Sequence, residues 1–584
     1  MRNKGIGVSP GVAVGTAYCV HEIFVNPNTR NLAADEVLPE LRRYEKARDA
    51  AGADLRALFA KVASQVGREE ATIFKAHESI LHDPAFTEKI RRWIVDKRQN
   101  APYALNQVLQ EYTSLFARTK DPYIRERLVD VRDVIIRVSG HLSEVLQPEA
   151  AIPSEPLILV ADELLPSHVV YLGTRQIAGL ATQAGGQTSH AAILARGRGI
   201  PAVSGVRGLL KHVKNGDLVV VDGREGQVIV NPGPEIESAY RKLQREFFDL
   251  KDQLAVNRDL PAVTADGIQV ELQANVNNLA DAQAAQAMGA SGVGLYRTEY
   301  LFLTHPDVPD EEEQLAAYKQ IIAQSPNHRI TIRTLDLGGD KTIPYLGHSR
   351  EANPFMGWRS IRLSFEHPEF FATQIRAVLR AAAGRKKQVR LMFPMITTLE
   401  EIRKVRSMVT RAKKQLDRRG KPHGKVPIGM MIEVPAAAIC IESLAREVDF
   451  VSIGSNDLVQ YLMAADRDNP RVSHLCQPLS PAVLRILHFT IGVCAAAKKP
   501  CTLCGEMASA PRAFVLLFGM GLRSFSMSSA FIPSIKELTS HLTQARAEAI
   551  LRRAMTLRTT AEVQRYLGQQ VGELAPNLKL LDTA

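Results

Sequence analysis

The C-terminal half of the chain repeats one pattern, in which a short apolar segment is followed by a stretch with helical spacing of apolar residues. The helical stretches include 397–418, 436–448 and 481–498. Strands that alternate with helices form parallel sheets, and eight such units in succession close into a (β/α)8 barrel. The sequence therefore predicts this barrel across residues 262–584. The eight strand candidates are 270–276, 292–298, 330–335, 389–394, 428–434, 450–455, 501–506 and 524–528.

The N-terminal part of the chain predicts an α/β domain with an inserted helical bundle. Glycines separate small and β-branched residues over 1–20, and an α/β pattern returns over 148–232. Between them, residues 21–147 carry apolar residues at helical spacing in four segments with short connections, which favours a four-helix bundle. The Asp83-Pro84 pair is expected to break or kink the second segment.

A linker helix is predicted over residues 233–261. Within this range, residues 235–256 are rich in Lys, Glu, Gln and Leu and follow Pro232-Gly233-Pro234. The fold class is therefore a multidomain α/β protein. Its 584 residues predict two to four domains, and 45% hydrophobic with 23% charged residues is typical of a soluble globular protein. There is no bilayer-length apolar stretch and no clear signal peptide, so we expect a cytoplasmic protein without membrane insertion.

The six cysteines are too sparse and irregular to predict a disulfide framework. Cys501 and Cys504 form a lone C-x-x-C without the second ligand pair that zinc needs, and a disulfide between them is not expected in a reducing cytosol. The net charge of +11 permits nucleic-acid binding, but no Lys/Arg run with interleaved aromatics appears. We therefore expect no nucleic-acid partner and interpret the charge as attracting anionic ligands.

Reactive residues follow the predicted barrel strands at their C-terminal ends, which is where a (β/α)8 barrel places its chemistry. They comprise arginines, carboxylates, an amide and a thiol, and two further arginines lie in loops expected on the same face. The strand-end residues are Arg297, Arg333, Glu433, Asn456, Asp457 and Cys504, and the loop residues are Arg359 and Arg467.

These residue types together favour one kind of ligand. Glu433 and Asp457 suit a hard divalent cation completed by water and substrate oxygens, so Mg²⁺ is the predicted metal. Guanidinium groups bind phosphate and carboxylate through paired hydrogen bonds, and the Cys504 thiol can donate or accept a proton. Any single arginine could be an ordinary surface residue, and Cys504 alone could be a small buried hydrophobe. The hypothesis rests on their joint placement.

A second centre lies in the segment 185–196, where paired glycines and Thr188-Ser189 precede His190 and an alanine-rich helical pattern. Thr188 or Ser189 can cap the helix, which places His190 where free N–H groups and the helix dipole favour a phosphate. A neutral imidazole there can attack phosphorus and hold the group as phosphohistidine. The alternative is a buried histidine in a helix-start loop. The flanking glycines and hydroxyls favour the first interpretation.

The segment 185–196 resembles the phosphohistidine motif of the phosphoenolpyruvate-utilising enzymes. Several barrel segments resemble the same family, and the order of elements over nearly the whole chain resembles the Enzyme I family of the bacterial phosphotransferase system, the phosphoenolpyruvate–protein phosphotransferases. The matching barrel segments are 295–299, 332–341, 353–362, 430–435, 453–458, 464–470 and 504–507.

The resemblance implies that phosphoenolpyruvate transfers its phosphoryl group to the chain's own histidine and then to a histidine of the phosphocarrier protein HPr, releasing pyruvate, as the first step of sugar transport. The helices of 21–147 would dock HPr, and the barrel would form a homodimer. Because the two centres lie on separate domains, we expect the segment near 231–262 to act as a hinge. His190 would be phosphorylated at Nε2, and Cys504 would protonate the enolate. Phosphoenolpyruvate would be bound by Arg297, Arg333, Asn456 and Arg467, together with Arg359 and Asp457. Mg²⁺ would be held by Glu433 and Asp457.

Three alternatives remain. A dikinase or phosphoenolpyruvate synthase shares these centres but needs an ATP-binding domain, for which residues 1–184 offer neither room nor a P-loop. The nitrogen-regulatory branch of Enzyme I usually carries an extra N-terminal sensory domain, and its carrier could still be the partner. A non-catalytic regulator is disfavoured because every expected catalytic position is filled. The net charge is also more basic than expected for this family.

Overall fold

The computed structural model describes residues 2–9, 11–20, 30–65, 72–117, 122–142, 156–162, 177–183, 195, 200–303, 308–338, 351, 353–384, 388–467, 469 and 472–576. The chain divides into two compact units between Gln244 and Arg245. No helix in the described part is long and apolar enough to cross a membrane.

The first unit contains an eight-stranded mixed sheet. Its strands are β1 (Arg2–Lys4), β2 (Ile6–Ser9), β3 (Val12–Val20), β4 (Leu157–Ala161), β5 (Ile177–Thr182), β6 (Ala202–Ser204), β7 (Leu218–Asp222) and β8 (Gln227–Val230). They are ordered β1-β8-β7-β3-β4-β5-β6-β2. Strand β3 pairs in parallel with β4 and antiparallel with β7. The helical segment therefore lies between two strands, β3 and β4, that are neighbours in the sheet.

Five described helices lie between β3 and β4. They are α1 (Val37–Gln65), α2 (Thr72–Leu81), α3 (Pro84–Val95), α4 (Ala101–Ala117) and α5 (Pro122–Leu142). The chain breaks at Asp83-Pro84 as predicted, because Pro84 starts α3 and the Asp83 carboxylate caps it by accepting from the Phe86 N–H at 3.0 Å. The second of the four predicted segments is thus two helices. Fully buried apolar residues such as Leu55, Leu81 and Ile135 form the core of the bundle.

One titratable side chain lies inside this helical core. His77 on α2 is fully buried, with Nε2 3.2 Å from Asp130 Oδ1 and Nδ1 3.1 Å from Asp133 Oδ2, both on α5. Burial favours the neutral imidazole, but hydrogen bonds and charge from the two aspartates outweigh it and raise the pKa of His77 to about 9. At neutral pH an imidazolium therefore ties α2 to α5.

The second unit begins within helix α6 (Pro234–Val256) and contains a closed parallel barrel. Its strands are β9 (Glu271–Val276), β10 (Val293–Arg297), β11 (Ile330–Arg333), β12 (Val389–Phe393), β13 (Ile428–Ile432), β14 (Phe450–Gly454), β15 (Cys501–Cys504) and β16 (Ser524–Met527). Each pairs in parallel with the next, and β16 pairs with β9. The predicted eight-stranded barrel is confirmed.

Helices alternate with these strands and cover the barrel. They are α7 (Leu279–Ala287), α8 (Glu299–Leu303), α9 (Glu311–Gln324), α10 (Ile361–Glu366), α11 (Pro368–Ala381), α12 (Leu399–Arg418), α13 (Pro435–Ile439), α14 (Ile441–Leu444), α15 (Ser455–Met463), α16 (Pro481–Ala496), α17 (Pro511–Gly519), α18 (Ile532–Ser540), α19 (Gln544–Ala554) and α20 (Thr560–Leu574). On α12, capped by a Thr398–Glu401 box, the buried residues Ile402, Val405 and Val409 recur at helical spacing.

Successive residues of a strand face opposite sides of the barrel wall, so their side chains pack alternately into an outer and an inner core. Met430 and Ile432 pack in the large cluster formed with the surrounding helices. Met431, between them, belongs to a separate cluster with residues from neighbouring strands, which we place around the barrel axis. Cys504 is a member of that inner cluster. The inner core thus lies among the strands, and Cys504 belongs to it at the C-terminal end of its strand.

Candidate active site at the barrel mouth

The structure places the predicted barrel residues at the C-terminal ends of the strands. Arg297 and Arg333 end β10 and β11 and are paired in register. Glu433 directly follows β13, and Cys504 ends β15. Asn456 and Asp457 lie in the first turn of α15, directly after β14, and Arg359 and Arg467 lie in loops. Because all strands are parallel, these ends share one mouth.

A continuous chain of ion pairs joins four of these eight residues through Asp336. Asp336 binds Arg333 Nη1 through Oδ2 at 3.0 Å and Arg359 Nη2 through Oδ1 at 3.0 Å. Arg359 Nη2 also lies 3.3 Å from Asp457 Oδ2, and Asp457 Oδ1 lies 2.9 Å from Arg467 Nη1. All but Arg467 are buried. Buried charges are tolerated only when they are paired in this way. The pairing keeps several guanidinium groups charged at the mouth, where they can bind an anion.

Glu433 is the most deeply buried carboxylate of the mouth. One of its oxygens, Oε1, accepts from the Met395 N–H at 2.6 Å. Beside the other, Oε2, lies Gly454, where a Cβ would come within 2.8 Å. Burial and the nearby charges of Asp336 and Asp457 raise the pKa of Glu433, while the arginines partly oppose this shift. Oε2 therefore faces space that glycine keeps open, in surroundings that favour an added positive charge.

The carboxylates fit a divalent cation that takes most of its ligands from elsewhere. Asp457 Oδ1 is buried and receives no well-aligned hydrogen bond from the residues that the structure describes, although Arg467 lies close to it. A cation beside Glu433 and Asp457 would offset the repulsion that the buried carboxylates exert on one another. In the described part of the chain, no group of three or more His, Cys, Asp or Glu side chains is arranged as a metal site. The donor set matches Mg²⁺, which keeps several water or substrate oxygens.

Cys504 is held as a protonated thiol. Its Sγ accepts from the Ser452 hydroxyl at 3.5 Å and lies 3.4 Å from the carbonyl oxygen of Ile453, to which the thiol donates. Burial raises the pKa of Cys504, and the Ser452 hydrogen bond and neighbouring arginines offset this only in part. A buried thiol that keeps its proton at neutral pH can act as a proton donor.

Cys501 does not pair with Cys504. The two residues are three positions apart on β15, so they point to opposite sides of the strand. Cys504 belongs to the inner cluster, whereas Cys501 packs against the outer one. All six cysteines are free thiols. A local disulfide would require a change of strand geometry.

Asn456 connects the first turn of α15 to the turn that follows β15. Its Oδ1 accepts from the backbone N–H of Glu506 at 3.2 Å, just after Cys504. Gly505, which lies between Cys504 and Glu506, has a φ of 131°, and a Cβ at this position would lie 2.2 Å from the Ser455 hydroxyl oxygen. The turn after the thiol thus requires glycine and is fixed against α15.

Three residues of the mouth were missed by sequence reasoning. Asp336 and Glu299 lie three and two residues after the strand-end arginines Arg333 and Arg297, a spacing that could have drawn attention to them. Tyr461 carried no such signal. Its hydroxyl accepts from Arg359 Nη1 at 3.0 Å and donates to the carbonyl of Phe355.

The second predicted centre cannot be placed in this way. His190 and most of the segment 185–196 lie outside the described residues, of which this stretch contributes Ala195 alone. The assignment of His190 therefore remains a prediction from the sequence.

Comparison with known proteins covers nearly the whole chain. Models of the phosphoenolpyruvate-utilising enzymes match in three parts: the N-terminal domain over 4–127, the mobile domain over 153–226, and the phosphoenolpyruvate-binding domain over 251–544. The chain therefore belongs to the family of phosphoenolpyruvate-utilising enzymes.

Its similar relatives share a single description, phosphoenolpyruvate-protein phosphotransferase. The protein from Bacillus sp. (strain S) is 40% identical over 96% of this chain and 97% of its own length. The one from Geobacillus stearothermophilus has the same identity and coverage. The one from Bacillus subtilis (strain 168) is 37% identical over 97% of this chain and 98% of its own.

Proposed function

We propose that this chain is a phosphoenolpyruvate–protein phosphotransferase. It transfers the phosphoryl group of phosphoenolpyruvate to its own His190 and then to a histidine of the phosphocarrier protein HPr, releasing pyruvate, as the first step of a sugar phosphotransferase system. The observation that carries the proposal is the chain of buried ion pairs at the barrel mouth, in a protein similar over nearly its full length to enzymes of that name.

The arginines bind the substrate. Phosphoenolpyruvate carries a phosphate and a carboxylate, and guanidinium groups bind both through paired hydrogen bonds. Arg297, Arg333, Arg359 and Arg467 are the binding groups. The carboxylate partners of Arg333, Arg359 and Arg467 hold these three guanidinium groups in place before the substrate arrives, which reduces the reorganisation needed on binding. Asn456 adds a polar contact beside the thiol.

Glu433 and Asp457 would hold Mg²⁺, which would supply positive charge to neutralise the phosphoryl group. Two carboxylates leave coordination positions for substrate oxygens and water, as this cation prefers. The Met395 N–H orients Glu433 by binding one of its oxygens, leaving the other for the metal.

Cys504 completes the chemistry at carbon. The bond between phosphorus and the enol oxygen breaks as the neutral Nε2 of His190 bonds to phosphorus, and the electron pair stays on the enolate. The Cys504 thiol then donates its proton to the terminal carbon, which yields pyruvate and a thiolate. Solvent returns a proton to the sulfur. The buried, protonated state of this thiol supports the role.

The remaining parts of the chain follow the same scheme. We assign residues 1–20 with 148–232 to the phosphohistidine domain, whose family model is described as mobile, and 21–147 to HPr docking. Residues 233–261 form the linker and 262–584 form the phosphoenolpyruvate-binding barrel, through which the chain dimerises. We expect the enzyme to work in the cytoplasm.

A phosphotransfer assay tests this function. Incubation of the chain with radiolabelled phosphoenolpyruvate, Mg²⁺ and purified HPr should move label onto HPr, and omission of the chain or its replacement by His190→Ala should prevent it. Labelled ATP as donor should transfer nothing. Label on HPr from ATP, or no transfer from phosphoenolpyruvate to any HPr-type carrier of the same organism, would refute the proposal.

A further inference from the structure

Glu299 is a buried carboxylate at the barrel mouth to which the proposed reaction gives no role. It begins α8, two residues after the strand-end Arg297, and only 3% of it is exposed. Its Oε1 accepts two hydrogen bonds, from Arg333 Nη2 at 2.8 Å and from the Asp336 backbone N–H at 2.9 Å. A single oxygen therefore fixes both a substrate-binding guanidinium and the backbone of the aspartate that pairs with it.

The guanidinium of Arg333 is consequently held at both ends. Glu299 binds Nη2, and the Asp336 carboxylate binds Nη1 at 3.0 Å. Its Nε is buried without a hydrogen-bond partner in the part of the chain that the structure describes. These two anionic contacts together fix the plane of the guanidinium. With only one of them, the guanidinium could rotate about the remaining hydrogen bond.

The backbone that carries Arg333 has a separate, neutral support. Gln374 on α11 accepts from the Leu335 N–H at 3.0 Å and donates to the Thr298 hydroxyl at 3.2 Å. That hydroxyl in turn donates to the Arg333 carbonyl oxygen at 2.9 Å. Loss of the Glu299 carboxylate therefore leaves the strand end supported while it releases the guanidinium.

We propose that Glu299 is a positioning residue, which acts on the substrate through Arg333. The proposal rests on the proposed function, because it takes phosphoenolpyruvate as the anion that Arg333 receives. Glu299 keeps the guanidinium in the orientation that binds this anion and does not touch the substrate. A displacement of about 1 Å in a binding group can reduce catalysis by about a hundredfold. The orientation of the Arg333 guanidinium is therefore expected to affect substrate binding strongly.

A double-mutant cycle tests the proposal through binding alone. The dissociation constant of phosphoenolpyruvate with Mg²⁺ is measured by calorimetry in a His190→Ala background, which cannot be phosphorylated. Glu299→Ala should raise this constant about tenfold or more when Arg333 is present. In an Arg333→Lys background the same change should raise it less than about twofold, because the guanidinium on which Glu299 acts is gone.

The control is Glu271→Gln, which removes a more exposed Glu–Arg pair of similar length, 2.9 Å to Arg329, at the opposite ends of the strands. It should leave the constant unchanged. If Glu299→Ala fails to fold, Glu299→Gln replaces it; this variant keeps an acceptor and should raise the constant about threefold.

Two results would overturn the proposal: an unchanged constant in the Arg333 background, or an equal rise in both backgrounds, which indicates a general structural effect. Failure of the proposed function would look different, because the parent protein with an intact Glu299 would then not bind phosphoenolpyruvate.

Discussion

The buried His77 should make the stability of the helical bundle fall as the pH rises. Its pKa increases from 6.5 to about 9 on folding, because Asp130 and Asp133 stabilise the imidazolium. One pKa unit corresponds to about 1.4 kcal/mol, so the net stabilisation of the imidazolium by its surroundings is on the order of 3 kcal/mol. Because the folded-state pKa is the higher one, this contribution is complete below pH 6.5 and is lost as the pH rises through about 9.

Tryptophan fluorescence can follow this unit separately. The chain has two tryptophans, Trp93 on α3 and Trp358 in the second unit, so Trp358→Phe leaves a reporter in the bundle. Urea unfolding between about pH 6 and about pH 10 should show a loss of about 3 kcal/mol in this parent. His77→Gln should remove that component and also lower stability at neutral pH, since two buried aspartates lose their counter-charge.

His141→Gln is the matched control. His141 also pairs with an aspartate, Asp54, at 2.7 Å, but both side chains are at least a third exposed. Exposed pairs contribute little, so this variant should keep the parental pH dependence. The same pH dependence in His77→Gln and in the parent would refute the reasoning.

Cys504→Ala should bind phosphoenolpyruvate with unchanged affinity and form pyruvate about a hundredfold more slowly, because the proton donor is gone; rapid-quench detection of pyruvate measures this, and unchanged turnover would exclude the thiol. Asp336→Asn should lower the unfolding free energy of the second unit by about 3 kcal/mol, because two buried guanidiniums share its charge. Urea unfolding followed by Trp358 in a Trp93→Phe background measures it, and an unchanged midpoint would contradict the pairing. Chelation of Mg²⁺ should abolish phosphorylation, and Glu433→Gln should lose the calorimetric heat of Mg²⁺ binding; parental heat would remove Glu433 from the ligand set.

The barrel could be predicted from sequence because of how its strands are buried. A parallel strand with both faces covered is largely apolar. The strands β12, β13 and β14 are such segments between clear helical patterns, with Arg390 in β12 and Ser452 in β14 as their polar residues. Parallel pairing then places every strand end at one mouth, so Arg333 and Glu433 could be assigned to a common site without knowledge of any distance.

The contacts within the mouth could not be predicted in the same way. Asp336 and Glu299 are each one carboxylate near an arginine in sequence, and such residues are often solvated. Their role depends on burial and on distances near 3 Å between different strands. Tyr461 reaches Arg359 across 102 positions of sequence, a contact that no local pattern encodes.

The central claim is that the phosphoryl group rests on His190 between its donor and its acceptor. Mass spectrometry of the chain after incubation with phosphoenolpyruvate and Mg²⁺, under conditions that preserve phosphohistidine, tests it most directly. We expect one added phosphoryl group, located on the peptide that contains His190 and absent from His190→Ala. A phosphoryl group on another residue, or an unmodified chain, would contradict it.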